Sequence, residues 1–298
     1  MAKTDNRPIN LCRSWLFVNG ADEQALNAAP SSGADVLIQE LEDFTPPHLR
    51  PKARALSPDI LASWRATGAM TAVRVNPLDG DGMDDLRAVM RGAPDIVALP
   101  KTASPAHVKA LDAAVSTFEN DYGLPNGQTL LLPNIETAAG LVRTMEIATA
   151  SPRVAGCLLA SEDLAADLGA ERTKQGTELA YCRQRFLVEC IAAGTHAVDC
   201  PYTWQDTNGA QSGAEWARHL GYRAKSAVAH DHAAIINSVF TPSEEEVEHA
   251  KRIITAFEDA QAHGAGRVEL DGSLVETPIY QNARRLVSRA LQLDEIKQ

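Results

Sequence analysis

The chain of 298 residues is short of basic side chains: 28 Lys and Arg stand against 39 Asp and Glu, a net charge of -11. That argues against duplex nucleic-acid binding, which needs a basic face to displace condensed counterions. Cysteine is scarce as well. Five are present (Cys12, Cys157, Cys182, Cys190 and Cys200), an odd number without a C-x-x-C pair, so neither a disulfide framework nor a zinc signature is read. No apolar run approaches the ~18 residues that cross a bilayer. The opening MAKTDNRPINLCRSW also has no apolar signal core. The expectation is a cytoplasmic protein with reduced thiols, binding neither nucleic acid nor membrane. A G-x-G-x-x-G fingerprint is missing too, since VNGADEQ after the first apolar run has a single glycine, and a dinucleotide fold finds no support there.

What is present is a regular alternation. Runs rich in Val, Ile and Leu at 13–18, 35–41, 71–75, 95–99, 129–135, 154–159, 195–199 and 223–228 predict eight strands. Segments between them, such as PKARALSPDILASWRA, PAHVKALDAAVSTF and ELAYCRQRFLVECIAA, carry apolar residues at the three- and four-residue spacing of amphipathic helices. Eight strand–helix units is the number that closes an α/β (β/α)8 TIM barrel; a doubly wound open sheet is the alternative. After residue 228 the pattern changes. TPSEEEVEHAKRIITAFEDAQAHG reads as a capped helix, RVELDGSLVETP as a hairpin around Asp271-Gly272, and residues near 279–292 as a last helix. The expected organisation is a barrel domain over 1–240 and a C-terminal helical and hairpin extension over 241–298, packing on the barrel or on a neighbouring subunit.

Reacting groups of such barrels stand at the carboxyl ends of the strands. Those positions hold Glu40, Glu42 and Asp43 in LIQELEDFTPP, then Arg74, Asn76, Lys101, Glu136, Asp163, Asp199 and His230. Taken singly, each has a structural explanation: an acid in the first turn of a helix gains ~0.3 to 1 kcal/mol against the macrodipole, and a lysine in a loop is simply solvated. Their placement on one rim favours chemistry. Carboxylates from different strands, without a spaced histidine pair, suit Mg²⁺ or Mn²⁺ better than zinc. Arg74 offers the planar fork that grips a carboxylate. In LIQELEDFTPP, strand alternation places Glu40 and Glu42 on one face and Asp43 on the other unless the chain turns, which Pro46 and Pro47 encourage.

The motifs RSWLFVNG, LEDFTPP with KAR, VRVN, ALPKT, NIETAAGL, ASEDLAADLGA and GYRAKSAVAH with FTPS, in that order, resemble the HpcH/HpaI aldolase and citrate lyase beta-subunit family over roughly residues 13 to 290. The resemblance implies a (β/α)8 barrel, assembled as a trimer or hexamer, that makes or breaks carbon–carbon bonds with Mg²⁺. It implies Glu136 and Asp163 as metal ligands and Arg74 as the binder of the substrate carboxylate. Glu136 and Lys101 join Arg74 in lining the substrate site, and Glu42 and Asp43 hold water around the cation. Where the family carries an aspartate thought to reach the neighbouring subunit's site, this chain has Glu276, the expected proton-handling group beside Arg74.

The implied activity is a Mg²⁺-dependent carbon–carbon lyase that cleaves a short 3-hydroxy acyl compound, as a coenzyme A thioester or a free acid, to an oxo acid and an enolate-derived product. The alternatives are a malyl-coenzyme A type thioester hydrolase and a non-catalytic barrel with a binding role. One departure bears on the choice. Coenzyme A lyases of the family usually carry lysine or arginine just after the first strand, where this chain has Gln24 and Ala28.

Overall fold

Parallel strands covered on both faces read as near-continuous apolar runs, and in the computed structural model, which describes residues 7–296, those runs form eight parallel strands. They are β1 (Ser14–Asn19), β2 (Val36–Glu40), β3 (Met70–Arg74), β4 (Ile96–Leu99), β5 (Leu130–Ile135), β6 (Gly156–Leu159), β7 (His196–Asp199) and β8 (Ala224–Ala227). Each pairs with its neighbour in sequence, and β8 pairs with β1, so the sheet closes into a barrel. The expected TIM barrel is therefore the observed one. Helices Arg50–Ala66, Pro105–Asp121 and Ala180–Ala192 supply crossovers where the sequence predicts them.

The barrel interior is layered. Trp15, Phe17, Val36, Ile38, Met70, Ala72, Ile96, Ala98, Leu132, Leu158, Val198 and Ala224 belong to one buried apolar cluster. Because side chains two apart share a face, continuing three of these stacks upward from Ile38, Ala72 and Leu132 reaches Glu40, Arg74 and, through Asn134, Glu136. All four are buried. The apolar layers thus end in a charged layer at the carboxyl end of the strands. β7 and β8 end differently: Asp199 accepts a two-pronged ion pair from Arg183 (2.8 and 2.6 Å) and a third contact from Lys225 Nζ at 2.7 Å.

The chain divides into two compact units, one through Ser238 and one from Val239. In the second, the helix Glu244–Ala262 begins at Ser243 in a reciprocal capping box with Glu246. β9 (Val268–Leu270) and β10 (Ser273–Val275) form an antiparallel hairpin whose turn residues, Asp271 and Gly272, both have positive φ. The helix Thr277–Glu295 follows, and its Tyr280 stacks on Phe257 of the first helix at 4.7 Å between ring centroids. All five cysteines are buried thiols outside any disulfide. Among the described residues, no helix is long and apolar enough to cross a membrane.

Candidate active site

The register of β2 and β3 sets Glu40 opposite Arg74, and Arg74 Nε donates to Glu40 Oε1 at 2.9 Å. Glu40 also accepts the backbone N–H groups of Glu42 (2.7 Å) and Phe44 (2.6 Å), while Thr45 Oγ1 donates to its carbonyl. One buried carboxylate therefore makes the turn that ends β2. The turn begins before the two prolines, and it brings all three acids of LIQELEDFTPP to the same pocket. Glu42 lies 3.4 Å and Asp43 3.8 Å from Arg74 Nη2, and Lys101 Nζ sits 2.6 Å from Glu42 and 3.7 Å from Asp43. Gly20 permits this closeness: a Cβ there would stand 2.5 Å from the Glu40 carbonyl oxygen.

Arg74 is bonded firmly through Nε and paired only loosely at its tip. Its guanidinium carbon lies 5.0 Å from the centroid of Phe17 and 5.9 Å from that of Phe44, two rings that pack edge-on against each other at 6.3 Å and give it cation–π contacts. Nε is bonded to Glu40, but Nη1 and Nη2 approach Glu136 and Glu42 only at 3.8 and 3.4 Å. Burial opposes the charge, yet Glu40, Glu136 and Glu42 outweigh it and push the guanidinium pKa further up.

Glu136 follows β5 directly, and Asp163 lies in the first turn of the helix Ser161–Leu168 that follows β6. Lys101, after β4, has the left-handed φ of 47° and reaches toward Asp163 at 3.9 Å. Its burial works against the ammonium charge, but Glu42, Asp43 and Asp163 raise its pKa. The pocket thus gathers five carboxylates (Glu40, Glu42, Asp43, Glu136 and Asp163) around two cations, Arg74 and Lys101.

Glu136 is the least compensated acid of the pocket. It is fully buried, and neither of its oxygens meets hydrogen-bond geometry with a protein donor. Burial pushes its carboxyl up to about 8; Arg74 pulls it back in part, while Asp163 and Glu42 push further. Burial raises Glu42 as well, against Arg74 and Lys101. A buried carboxylate without donors is costly unless a cation meets it. Among the described residues no three His, Cys, Asp or Glu side chains form a ready-made cage. Two carboxylates with water and substrate oxygens suit Mg²⁺, and the unpartnered oxygens of Glu136 beside Asp163 fit such an ion.

Asn134 is a further polar residue of the pocket floor that the strand-end positions do not include. It is fully buried one residue pair below Glu136, and neither its amide nitrogen nor its oxygen has a partner. The signal for it is a polar residue inside LLLPNI at the position where alternation calls for an inward apolar one. Asp199 takes no part in the pocket; it neutralises Arg183 and Lys225. Asn76 holds Asp85 and the Leu41 carbonyl. His230 lies beside β1, 3.0 Å from Ser31 Oγ. Glu276 stands in the second unit, exposed, as the N-cap residue of the helix Thr277–Glu295, and its side chain makes no capping bond.

Residues 13–230 match the model of the HpcH/HpaI aldolase/citrate lyase family. The chain belongs to that family. Relatives within it resemble the chain over nearly its whole length. Citrate lyase subunit beta of Escherichia coli is 35% identical over 97% of this chain and 96% of its own. (3S)-malyl-CoA thioesterase of Cereibacter sphaeroides is 33% identical over 93% and 94%. The crystal structure of protein CitE from Mycobacterium tuberculosis in complex with magnesium, acetoacetate and coenzyme A is 27% identical, with a TM-score of 0.75 over 93% of this chain and 97% of that one.

Proposed function

We propose that this protein is a Mg²⁺-dependent carbon–carbon lyase that cleaves a short 3-hydroxy acyl compound to an oxo acid and an enolate-derived product. The observation that carries the reading is Glu136: a fully buried carboxyl whose two oxygens lack a well-formed hydrogen bond, beside Asp163 and 3.8 Å from Arg74 Nη1. Glu136 and Asp163 hold Mg²⁺, or Mn²⁺ in its place, and the bound cation supplies Lewis acidity toward an oxo group and the enolate formed on cleavage. The magnesium and small acid in the related CitE structure support this choice.

Arg74 takes the substrate carboxylate with Nη1 and Nη2, the two nitrogens that Glu40 leaves free. Lys101 fixes Glu42 and Asp43, which accept hydrogen bonds from water around the cation and so orient it. Glu276, from the second unit of a neighbouring subunit in a homo-oligomer, trimer or hexamer, handles the proton.

Likeness to a malyl-CoA thioesterase favours a second reading, hydrolysis of a malyl-type thioester by the same pocket. One experiment separates the two. The protein is incubated with a panel of hydroxy acids and their thioesters, with Mg²⁺ or with EDTA, and products are followed. A lyase releases an oxo acid with Mg²⁺ and none with EDTA, and Asp163→Ala abolishes both metal binding and turnover. Release of free thiol with the hydroxy acid intact establishes the hydrolase instead. No rate above background with any member leaves only a binding role.

A further inference from the structure

Strand alternation sends every second side chain of β7 and β8 out of the barrel. Val198 and Ala224 belong to the interior cluster, so Asp199 and Lys225, next to them in sequence and paired in register, face the surrounding helices. There a small cavity of about 30 Å³ lies between the barrel wall and the segment 172–176. Four cationic side chains line it, those of Arg172, Lys174, Arg183 and Lys225, and no aspartate or glutamate is among its described lining residues.

The acids that answer these cations stand outside the lining, and they do not suffice. Arg172 pairs with Glu162 and Glu178, and Lys174 with Asp206. Arg183 and Lys225 are both more than nine-tenths buried and share a single carboxylate, Asp199. Two buried cations against one acid leave one positive charge uncompensated. Arg183 directs Nε and Nη2 to Asp199, and its guanidinium lies 4.0 Å from the Trp216 ring centroid, which brings no counter-charge. Its Nη1 donates to no acceptor among the described residues and lies toward Gly176, where a Cβ would stand 3.8 Å away. Lys225 Nζ reaches Asp199 at 2.7 Å and the Cys200 carbonyl at 2.5 Å, which leaves one N–H of the ammonium over. Cys200 does not supply the missing charge: burial and Asp199 push its thiol up, so it stays neutral.

A buried cation without a counter-charge is costly, and a cavity lined by one sign of charge gathers ions of the other. The volume exceeds the ~10 to 15 Å³ that one water needs. It falls far short of the ~300 Å³ at which small-molecule sites begin. We infer that this cavity binds one monovalent anion of halide size, such as chloride, between Arg183 Nη1 and Lys225 Nζ. The ion ties the segment 172–176 to the outer wall of β7 and β8. None of the lining residues belongs to the Arg74 pocket, so the inference stands apart from the proposed reaction.

Crystals of the full-length protein soaked in sodium bromide test it directly, because bromide scatters anomalously. A peak is expected between Arg183 and Lys225; a map with none there, or with bromide only at surface side chains, overturns the inference. In solution, thermal melts follow the replacement of gluconate, too bulky for the cavity, by chloride at fixed ionic strength without Mg²⁺. The melting temperature of the unaltered protein is expected to rise and level off. In Lys225→Met, where Arg183 and Asp199 pair one to one, chloride is expected to leave it unmoved. No rise in the unaltered protein, a rise that never saturates, or an equal rise in Lys225→Met overturns the inference. If Lys225→Met does not fold, the bromide map of the unaltered protein decides alone.

Discussion

Glu40 and Arg74 face each other across neighbouring strands, both buried, joined Nε to Oε1 at 2.9 Å. The same carboxylate anchors the turn carrying Glu42 and Phe44. Glu40→Gln keeps the shape and removes the charge. We expect kcat/KM to fall roughly 10- to 100-fold, as for other groups that orient metal and substrate ligands, chiefly through a higher KM for the carboxylate substrate. Steady-state kinetics checks it; Glu40→Asp should recover part of the loss.

Glu136→Gln separates stability from metal binding. The metal-free variant loses a buried carboxylate without donors, so its melting temperature should equal or exceed that of the unaltered chain. Added Mg²⁺ should stabilise the unaltered protein by about 2.7 kcal/mol at a hundred times its Kd and the variant hardly at all. Thermal melts with and without the cation decide the matter; Mg²⁺ stabilising both alike would remove Glu136 from the ligand set.

Asn134→Leu is expected to trade activity for stability. Both polar atoms of the amide are buried and unpartnered, at a cost of ~1 to 3 kcal/mol, and leucine continues the apolar stack above Leu132. Chemical unfolding should show the gain, and kinetics a loss of turnover if the amide meets substrate or its water.

Lys101 holds a left-handed backbone at φ 47°. Lys101→Gly should therefore be more stable than Lys101→Ala by about 1 kcal/mol, although both lose the ammonium that ties Glu42 to Asp43. Both should be equally impaired in catalysis.

Asp199 sets an acid limit. Burial alone raises its carboxyl, but Arg183 and Lys225 outweigh that and hold it below its ordinary 3.8. A depressed folded-state pKa contributes stability that is complete above about pH 4 and disappears as pH falls through the folded value. Melting temperature should thus drop steeply below pH 4. Asp199→Asn should flatten that limb and cost about 3 to 5 kcal/mol at neutral pH, because two buried cations lose their counter-charge.

The barrel was legible because buried parallel strands must be apolar on both faces, which marks all eight runs against their amphipathic helices. That Glu136, Asp163 and Arg74 share one rim was legible because each follows or ends a strand of the barrel at its carboxyl end. Glu40 was placed on the rim too, but its role was not legible: its partner is chosen by the register between β2 and β3 and its other bonds by a turn, neither of which composition reports. Alternation assumed a strand running on past residue 40, whereas the carboxylate at its end folds the chain back. Asn134 was hidden for the opposite reason, as one polar letter inside a run recognised by being apolar. The absence of lysine after β1 was plain in the sequence, but that Gln24 and Ala28 line a groove together with Phe17 and Phe44 needed coordinates.

Closure of the eight-stranded sheet has one more consequence. A ring of strands offers no unpaired N–H and C=O row for another chain to copy. Among the described residues, the only such rows belong to the outer sides of β9 and β10, each three residues long. Self-association by strand addition has to begin at that hairpin or wait for the ring to open.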